Sequence, residues 1–596
     1  MKTTILSAIF LLAVGATAHA GDIYVSVTGN DKAAGTTAEP LLTVDAALRQ
    51  AREWRRLGDE RAAGGINIIL KGGTYSLDRP VFIRPEDSGT PSSPTVIRSC
   101  GDTPAVISGG TGVSGWRRGS DDPRLPAHVR DKVWVSDAPT WNGRIVYTRQ
   151  LWAGGRKAVR ATQFATPYTM ERMAAFSPED ESITIPTPAA DLSDAAQLEM
   201  TVHQRWAIAI LRVREMRDMG NGHTRVWFQQ PESRLEFAHP WPQPVIDGER
   251  GNSSFCLGNA LQLLDSPGEW YQDYPSGRIF YYPEEGEDMT SARFTVPVLD
   301  NLVNISGTRE RHVTNIMFEN ITFMHSAWAR PLYEGHVTLQ GGFRLIDAYK
   351  LATPGLPHKA RLENQAWIAR PEAAVAARFA SDITFSNCRF THIGATALDL
   401  EYAVSSSAVS GCTFTDIGGT AVMAGYFGEG GFETHIPYSP AVPADLCSRL
   451  TISNNRIDDA TNEDWGCAAV SAGYVSETDI VQNEVSNVNY SGICIGWGWT
   501  PRESGMRHNR ITGNNVRDYA KMLYDAGGIY TLSNQPGSVI SGNTISLPAE
   551  APYATNSRAF CIYFDEATDG FTVENNIMPE PLFGYNRPGP ALIVKD

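Results

Sequence analysis

The chain has 596 residues, 42% hydrophobic and 20% charged, with a formal net charge of −15 at pH 7. That acidity excludes nucleic acid and anionic membrane surfaces as partners, and the length suits two or three packed domains. Eight cysteines over this length are too few for a disulfide scaffold, and no CxxC or HxH spacing offers a metal site.

The chain opens Met1-Lys2-Thr3-Thr4, runs apolar from Ile5 to Ala16, and then reads Ala18-His19-Ala20. This is a secretory signal over residues 1–20, cleaved after Ala20. Its removal leaves 576 residues and, with Lys2 gone, a net charge of −16. No cysteine follows the apolar run, so the expected location is secreted or periplasmic, without a lipid anchor. No other stretch reaches the ~20 apolar residues of a membrane span.

Residues 21–115 read as an N-terminal cap and the first turns of a solenoid. Ile23-Tyr24-Val25-Ser26-Val27 is a strand. Val44 to Arg56 carries apolar residues at helical spacing among many charges, which suits a helix closing the open end of a core. Ile66 to Leu70 and Thr95 to Ile97 are strands between Gly/Pro turns. Residues 116–296 lose the periodicity and are rich in Trp and Pro. Strand-like pieces remain at Val133 to Val135, Thr201-Val202, Ala209 to Val213, Thr224 to Phe228 and Ile279 to Tyr282. This is an inserted β-rich domain, with Gly268-Glu269-Trp270-Tyr271 and Gly277 to Tyr282 as a hairpin. Its role is either carbohydrate binding or shaping of the site.

Over 297–596, asparagine-centred turns recur. They fall in the column Cys388, Cys412, Asn455, Asn483, Asn514, Asn543 and Asn576, at intervals of 24, 43, 28, 31, 29 and 33 residues. A period near 30, with short β-branched strands and no helical pattern, specifies an all-β fold, a right-handed parallel β-helix. Asn tolerates the left-handed conformation of such turns and can bond successive turns. Cys388 and Cys412 are stacked ~4.8 Å apart by strand spacing, either bridged or as two buried thiols. The 67 residues from Ile321 to Cys388 imply one irregular turn. About 15 extra residues between 412 and 455, roughly Phe427 to Cys447, form a loop that can wall a groove.

After each Asn turn a second strand follows. Leu398/Leu400, Val422/Ala424, Ile493/Ile495, Ile529/Thr531 and Ile562/Phe564 must face the core. The alternate positions Asp399, Glu401, Tyr530, Tyr563 and Asp565 then point outward. Carboxylates for acid–base work beside aromatics for stacking on pyranose rings make a sugar site. Glu401 and Asp565 lie five turns apart, ~24 Å, too far to flank one glycosidic bond. The nearest partner for Asp565 is Asp525, just before Ala526-Gly527-Gly528, and the pairing requires that turn to fold over the face. Glu566 and Asp464 stand in reserve. Trp497 and Trp499 form a stacking platform or extend a structural aromatic ladder with Tyr402, Tyr426 and Tyr474. His435, in the long loop, can reach over the groove.

Here the chain resembles glycoside hydrolase family 141, secreted right-handed β-helix enzymes of plant-polysaccharide degradation. The resemblance rests on Tyr490-Ser491-Gly492-Ile493-Cys494-Ile495-Gly496-Trp497-Gly498-Trp499, on Asp525-Ala526-Gly527-Gly528-Ile529-Tyr530-Thr531-Leu532 and on Gln535-Pro536-Gly537-Ser538. Upstream, Gly72-Gly73-Thr74-Tyr75 and the 268–282 hairpin also match. The resemblance implies hydrolysis, with α-L-fucosidase and xylanase activities both represented, and two aspartates that map onto Asp525 and Asp565. The family's first motif commonly has Gly where this chain has Ala526, a departure that leaves the aspartate in place.

The expected function is therefore hydrolysis of plant cell-wall polysaccharide, α-L-fucosidase first and endo-xylanase second. The expected substrate-binding residues are Trp497, Trp499, Tyr530, Tyr563, Glu566 and His435. A lyase or epimerase would instead draw on Lys521, Arg502, Arg507 and Tyr530. A non-catalytic glycan-binding protein would need no carboxylate pair. No cofactor is expected, although a structural calcium on a carboxylate cluster is compatible with the composition. The expected partner is an oligo- or polysaccharide, and the chain is expected to be a monomer.

Overall fold

The computed structural model describes residues 19–164, 169–239, 241–349, 365–430, 433–555 and 558–595. Most of the expected signal segment therefore lies outside the described residues.

The strand Gly21–Val25 pairs in parallel with Ile66–Ser76, which pairs in parallel with Thr95–Ser108. Between the first two lies the helix Val44–Leu57. Thr43 caps it by accepting the Ala46 N–H at 3.1 Å, and Gly58, at φ 63°, ends it in the left-handed conformation. Its buried side (Val44, Ala47, Leu48, Ala51, Trp54) belongs to the same core as the first strands.

From Val303–Ser306 onward the chain coils as a parallel β-helix. Three strands per turn stack on their counterparts, with the alignment expected from the alternation. Leu398 pairs with Val422, Val422 with Val470, Val470 with Ile493, Ile493 with Ile529 and Ile529 with Ile562. These inward side chains are fully buried, each contributing roughly 1.5–3 kcal/mol by leaving water. Phenylalanines stack along the interior as well, Phe390 on Phe414 at 4.8 Å and 7°.

The turns are tied by a hydrogen-bonded asparagine ladder. Asn483 Oδ1 accepts the backbone N–H of Asn455 at 3.0 Å and its side-chain N–H at 2.9 Å. Asn514 does the same for Asn483, Asn543 for Asn514 and Asn576 for Asn543. Each Nδ2 also donates to a carbonyl of the preceding turn, as Asn514 does to Ile480 at 2.9 Å. Cys412 continues the column, its N–H bonded to Asn455 Oδ1 at 2.9 Å. All eight cysteines are free, Cys388 and Cys412 included, so these two are stacked thiols.

The chain leaves the helix along Gly110–Val113 and returns along Phe294–Pro297, and these two strands pair antiparallel as the stem of the insertion. The 268–282 hairpin forms, Trp270 opposite Tyr281. The irregular turn before Cys388 is a second excursion. Its strands His336–Gln340, Phe343–Tyr349 and Gln365–Ala369 join the insertion's ten-stranded sheet through Ala209 opposite Val337.

The outward side of the second strand column is consequently not a free surface. Met423, Tyr474 and Trp497 share one apolar cluster with the insertion's Val202 and Leu211 and the second excursion's Phe343 and Leu345. Asp399, expected to face outward, is 0% exposed and paired with Arg370 at 2.6 Å. Alternation gave its direction correctly, but a second layer covers it.

Asn514→Ala should cost about 2 kcal/mol or more. It removes a buried side chain bonded on both sides, and each orphaned group costs ~1–3 kcal/mol. Asn576→Ala, at the less buried end of the ladder, should cost clearly less. Denaturation midpoints of the two variants test this; equal losses would show that the ladder does not couple the turns.

Candidate active site

The strands Ala526–Thr531 and Ala559–Phe564 run parallel, Tyr530 beside Tyr563. In a straight ladder Asp525 and Tyr563 would be five residues apart along the strand, ~17 Å at ~3.3 Å per residue, beyond the reach of both side chains. Yet the Tyr563 hydroxyl donates to Asp525 Oδ1 at 3.1 Å. The chain bends at the glycines. Pairing passes from Gly527 to Ile529 without a partner for Gly528. A Cβ on Gly527 would lie 2.5 Å from the Ile529 carbonyl oxygen, and one on Gly528 2.6 Å from Ile545, so only glycine permits the fold-over. Asp525 itself sits at φ 60°, a conformation Asp tolerates.

Around this bend a polar network is built. Tyr530 donates its hydroxyl to Asp565 Oδ2 and accepts from Gln340 Nε2 at 3.0 Å. Asn586 Nδ2 donates to Asp565 Oδ1 at 2.7 Å. Tyr490 donates to the backbone oxygen of Asp525 at 3.0 Å. Burial pushes the Tyr530 and Tyr563 phenols well up, and the two aspartates push them further. They therefore stay protonated donors at neutral pH. The Tyr563 ring meets Tyr530 edge to face at 5.2 Å, so the phenol bonded to Asp525 stands beside the phenol bonded to Asp565.

Above the pair opens a cavity of about 940 Å³. Asp525, Asp565, Tyr530, Glu566, Trp499 and His435 line it from the helix, and Arg205, Trp206, Trp241 and Gln340 from the insertion's sheet and loops. Trp499 packs against Trp497 at 4.8 Å and His435 at 5.3 Å, and Glu433 holds the His435 ring. Trp497 is not in the lining. It is buried against Phe343 and Phe427 and donates its indole N–H to Thr434 Oγ1 at 3.1 Å, which is a structural role. Tyr563 is turned onto Asp525. Asp464 lies away from the cavity; burial opposes its charge, but His336 at 2.9 Å holds its carboxyl below the usual range. Lys521, Arg502 and Arg507 lie outside the lining too, and Lys521 is bonded to Asn487.

Gln340, Asn586, Arg205, Trp206 and Trp241 are cavity residues that the periodicity did not mark. They come from segments without the repeat, and the only sequence signal was the Trp-rich character of the insertion. Their placement depends on how the insertion docks. The Arg205 carbonyl accepts the Tyr524 N–H at 3.1 Å, next to Asp525. His203 Nε2 donates to the Met522 carbonyl at 2.6 Å, and burial pushes that imidazole down to about 4, so it is neutral. Trp206 Nε1 donates to the Leu339 carbonyl at 2.8 Å. Below them Gln204 Nε2 donates to Glu236 Oε1 at 2.7 Å, and burial pushes the Glu236 carboxyl up to about 8.

A second cavity, about 770 Å³, lies elsewhere between insertion and helix. Most of its buried charges are paired, Arg149 and Arg160 with Glu199 and Lys157 with Asp416, and the last pair clamps insertion to helix. Among the described residues no three His, Cys, Asp or Glu side chains converge as metal ligands. No helix among them is long and apolar enough to cross a membrane.

Comparison with known proteins agrees with this architecture. Residues 131–284 match the family model described as the GH141 insertion domain, and residues 438–579 match the right handed beta helix region. A solved structure named "Glycoside hydrolase" is 42% identical, with a TM-score of 0.92 over 96% of each chain. Pectate lyase PEL9 of Emericella nidulans is 38% identical over 90 residues. That match spans 15% of this chain and 19% of the relative.

Glu236 supplies a test of the docking. Its carboxyl is neutral in the fold up to about 8 but ionises near 4.5 when unfolded. The folded state therefore holds the extra proton, and stability should fall as pH rises from about 4.5 to about 8. Glu236→Gln should flatten that slope and raise the melting temperature at pH 8. An unchanged slope would place the pH dependence elsewhere.

Proposed function

We propose, from the premise that the chain belongs to glycoside hydrolase family 141, that Asp525 and Asp565 are the catalytic pair of this glycosidase. The observation that carries the reading is that both carboxylates line one cavity and are held by adjacent phenols, Asp565 by Tyr530 and Asp525 by Tyr563, whose rings are 5.2 Å apart. Neighbouring carboxylates in one cavity suit a mechanism in which two carboxylates ~5–9.5 Å apart flank one glycosidic bond. Asp565 accepts hydrogen bonds on both oxygens, the form a nucleophile or base needs. In this reading it attacks the anomeric carbon or activates the water that does. Asp525 then protonates the departing glycosidic oxygen. Tyr530, itself fixed by Gln340, and Asn586 hold Asp565 in place, and such preorganised donors stabilise charge in the transition state.

The substrate we propose is a plant cell-wall oligo- or polysaccharide, with an α-L-fucoside side chain as the first candidate, on the strength of the motif resemblance around 490–499 and 525–538. The cavity's open shape and its three tryptophans, Trp206, Trp241 and Trp499, favour a second reading, an endo-xylanase that binds a chain. Release of free fucose from pectic oligosaccharides supports the first, and shortening of xylan supports the second. An unsaturated product absorbing in the ultraviolet would overturn both in favour of a lyase.

Asp525→Asn and Asp565→Asn should each lower kcat by at least ~10², with little change in melting temperature, and each should remove one limb of the pH–rate profile. Wild-type turnover in one variant would transfer that role to Glu566, which shares the cavity; in both, it would sink the mechanism.

Trp499→Ala should lower kcat/KM by the equivalent of ~1–3 kcal/mol, a range taken from aromatic stacking on bases. Loss of cooperative unfolding without a kinetic defect would instead make Trp499 part of the aromatic packing beside Trp497.

A further inference from the structure

The insertion presents to the cavity a large aromatic side chain that stays about half exposed despite its packing. Trp241 is 48% exposed and lines the cavity. Its ring lies 6.4 Å from Trp206 at an interplanar angle of 18°, and the Arg205 guanidinium stands over it at 5.4 Å. A scattered exposed indole on a surface would mean little. This one is held in place. Its backbone N–H donates to His239 Nδ1 at 3.3 Å, and the following Pro242 carbonyl accepts from Gln204 Nε2 at 3.3 Å. Gln204 is in turn fixed on neutral Glu236, and Arg205 and Trp206 are bonded to Tyr524 and Leu339. The segment that carries Trp241's neighbours therefore abuts Asp525 directly.

We infer that Trp241 and Arg205 form a sugar subsite contributed by the insertion, distinct from the Asp525–Asp565 pair and adjacent to it. It takes a pyranose residue further along the bound glycan. The C–H face of the sugar stacks on the indole, and its hydroxyl oxygens accept from the guanidinium. Arg205 makes no ion pair with a carboxylate among the described residues, and its stacking on Trp241 pre-orients the N–H edge. A rigid aromatic loses little entropy on binding, which is what a subsite remote from the chemistry requires. The inference rests on the catalytic reading of the cleft and assigns the insertion the recognition of chain length.

The test is a length series of plant cell-wall oligosaccharides, from disaccharide upward, assayed for kcat/KM with wild type and Trp241→Ala. The same series is titrated calorimetrically into the full-length Asp525→Asn protein with and without Trp241→Ala. The loss caused by Trp241→Ala should grow with chain length and reach about tenfold in both kcat/KM and affinity on the longer members, and Trp241→Phe should restore most of it. An equal loss at every length, or none at any, would overturn the subsite. Failure of the catalytic reading would show separately, as undiminished turnover by Asp525→Asn, while the Trp241→Ala loss in kcat/KM still grew with chain length.

Discussion

Every part of this molecule depends on the turns of the solenoid staying in register, and the asparagine ladder enforces that register. A strand that slips by one residue turns its core side chains outward. Asn483, Asn514, Asn543 and Asn576 each accept both the backbone and the side-chain N–H of the asparagine one turn away. A slip would orphan several buried groups at once. With the turns locked, Ile493, Ile529 and Ile562 fall in one column, and Tyr530 and Tyr563 stand side by side on its outer face. The site follows from that alignment.

On that outer face the helix exchanges water for protein. Through Met423, Tyr474 and Trp497 it is an apolar seat for the insertion. Towards the last turns the seat gives way to the cavity, and the polar side chains concentrate there. The Tyr530 phenol, kept protonated by burial and itself bonded by Gln340, and the Asn586 amide donate to Asp565. Such fixed donors act strongly in a site screened from solvent. The insertion contributes to this chemistry without supplying a carboxylate: it closes the site, orients Gln340, and brings Arg205, Trp206 and Trp241 to the mouth.

The docking of the insertion is itself a polar problem solved by neutral groups. His203 and Glu236 are both buried and both uncharged, the imidazole because burial pushes it down, the carboxyl because burial pushes it up. Neutral hydrogen bonds avoid the desolvation penalty of a buried ion pair. The clamp of Lys157, Asp416, His392 and Trp152 at the second cavity takes the other course and balances charge with charge. Within the neutral arrangement the two groups respond oppositely to pH, His203 opposing acid and Glu236 opposing base, and His203 lies next to the turn that carries Asp525.

By itself the sequence determined the repeat, the inward and outward alternation, the N-terminal helix, the 268–282 hairpin, and the two aspartates beside the same strand column. These are local or periodic properties, set by spacing, turn chemistry and side-chain alternation. It also posed a specific condition, that Ala526-Gly527-Gly528 bend over the face, and the two glycines meet it. Tertiary structure decided what no period encodes. Segments 203–206, 241 and 336–340 carry no repeat, yet their contacts with 522–524 and Tyr530 make them walls of the cavity. Trp497 and Trp499, two residues apart in sequence, take opposite fates because the packing of Phe343 and Phe427 covers one ring and leaves the other in the lining. Asp399 points outward as its position requires, and only the layer that folds over it, with Arg370, turned a candidate surface carboxylate into a buried ion pair.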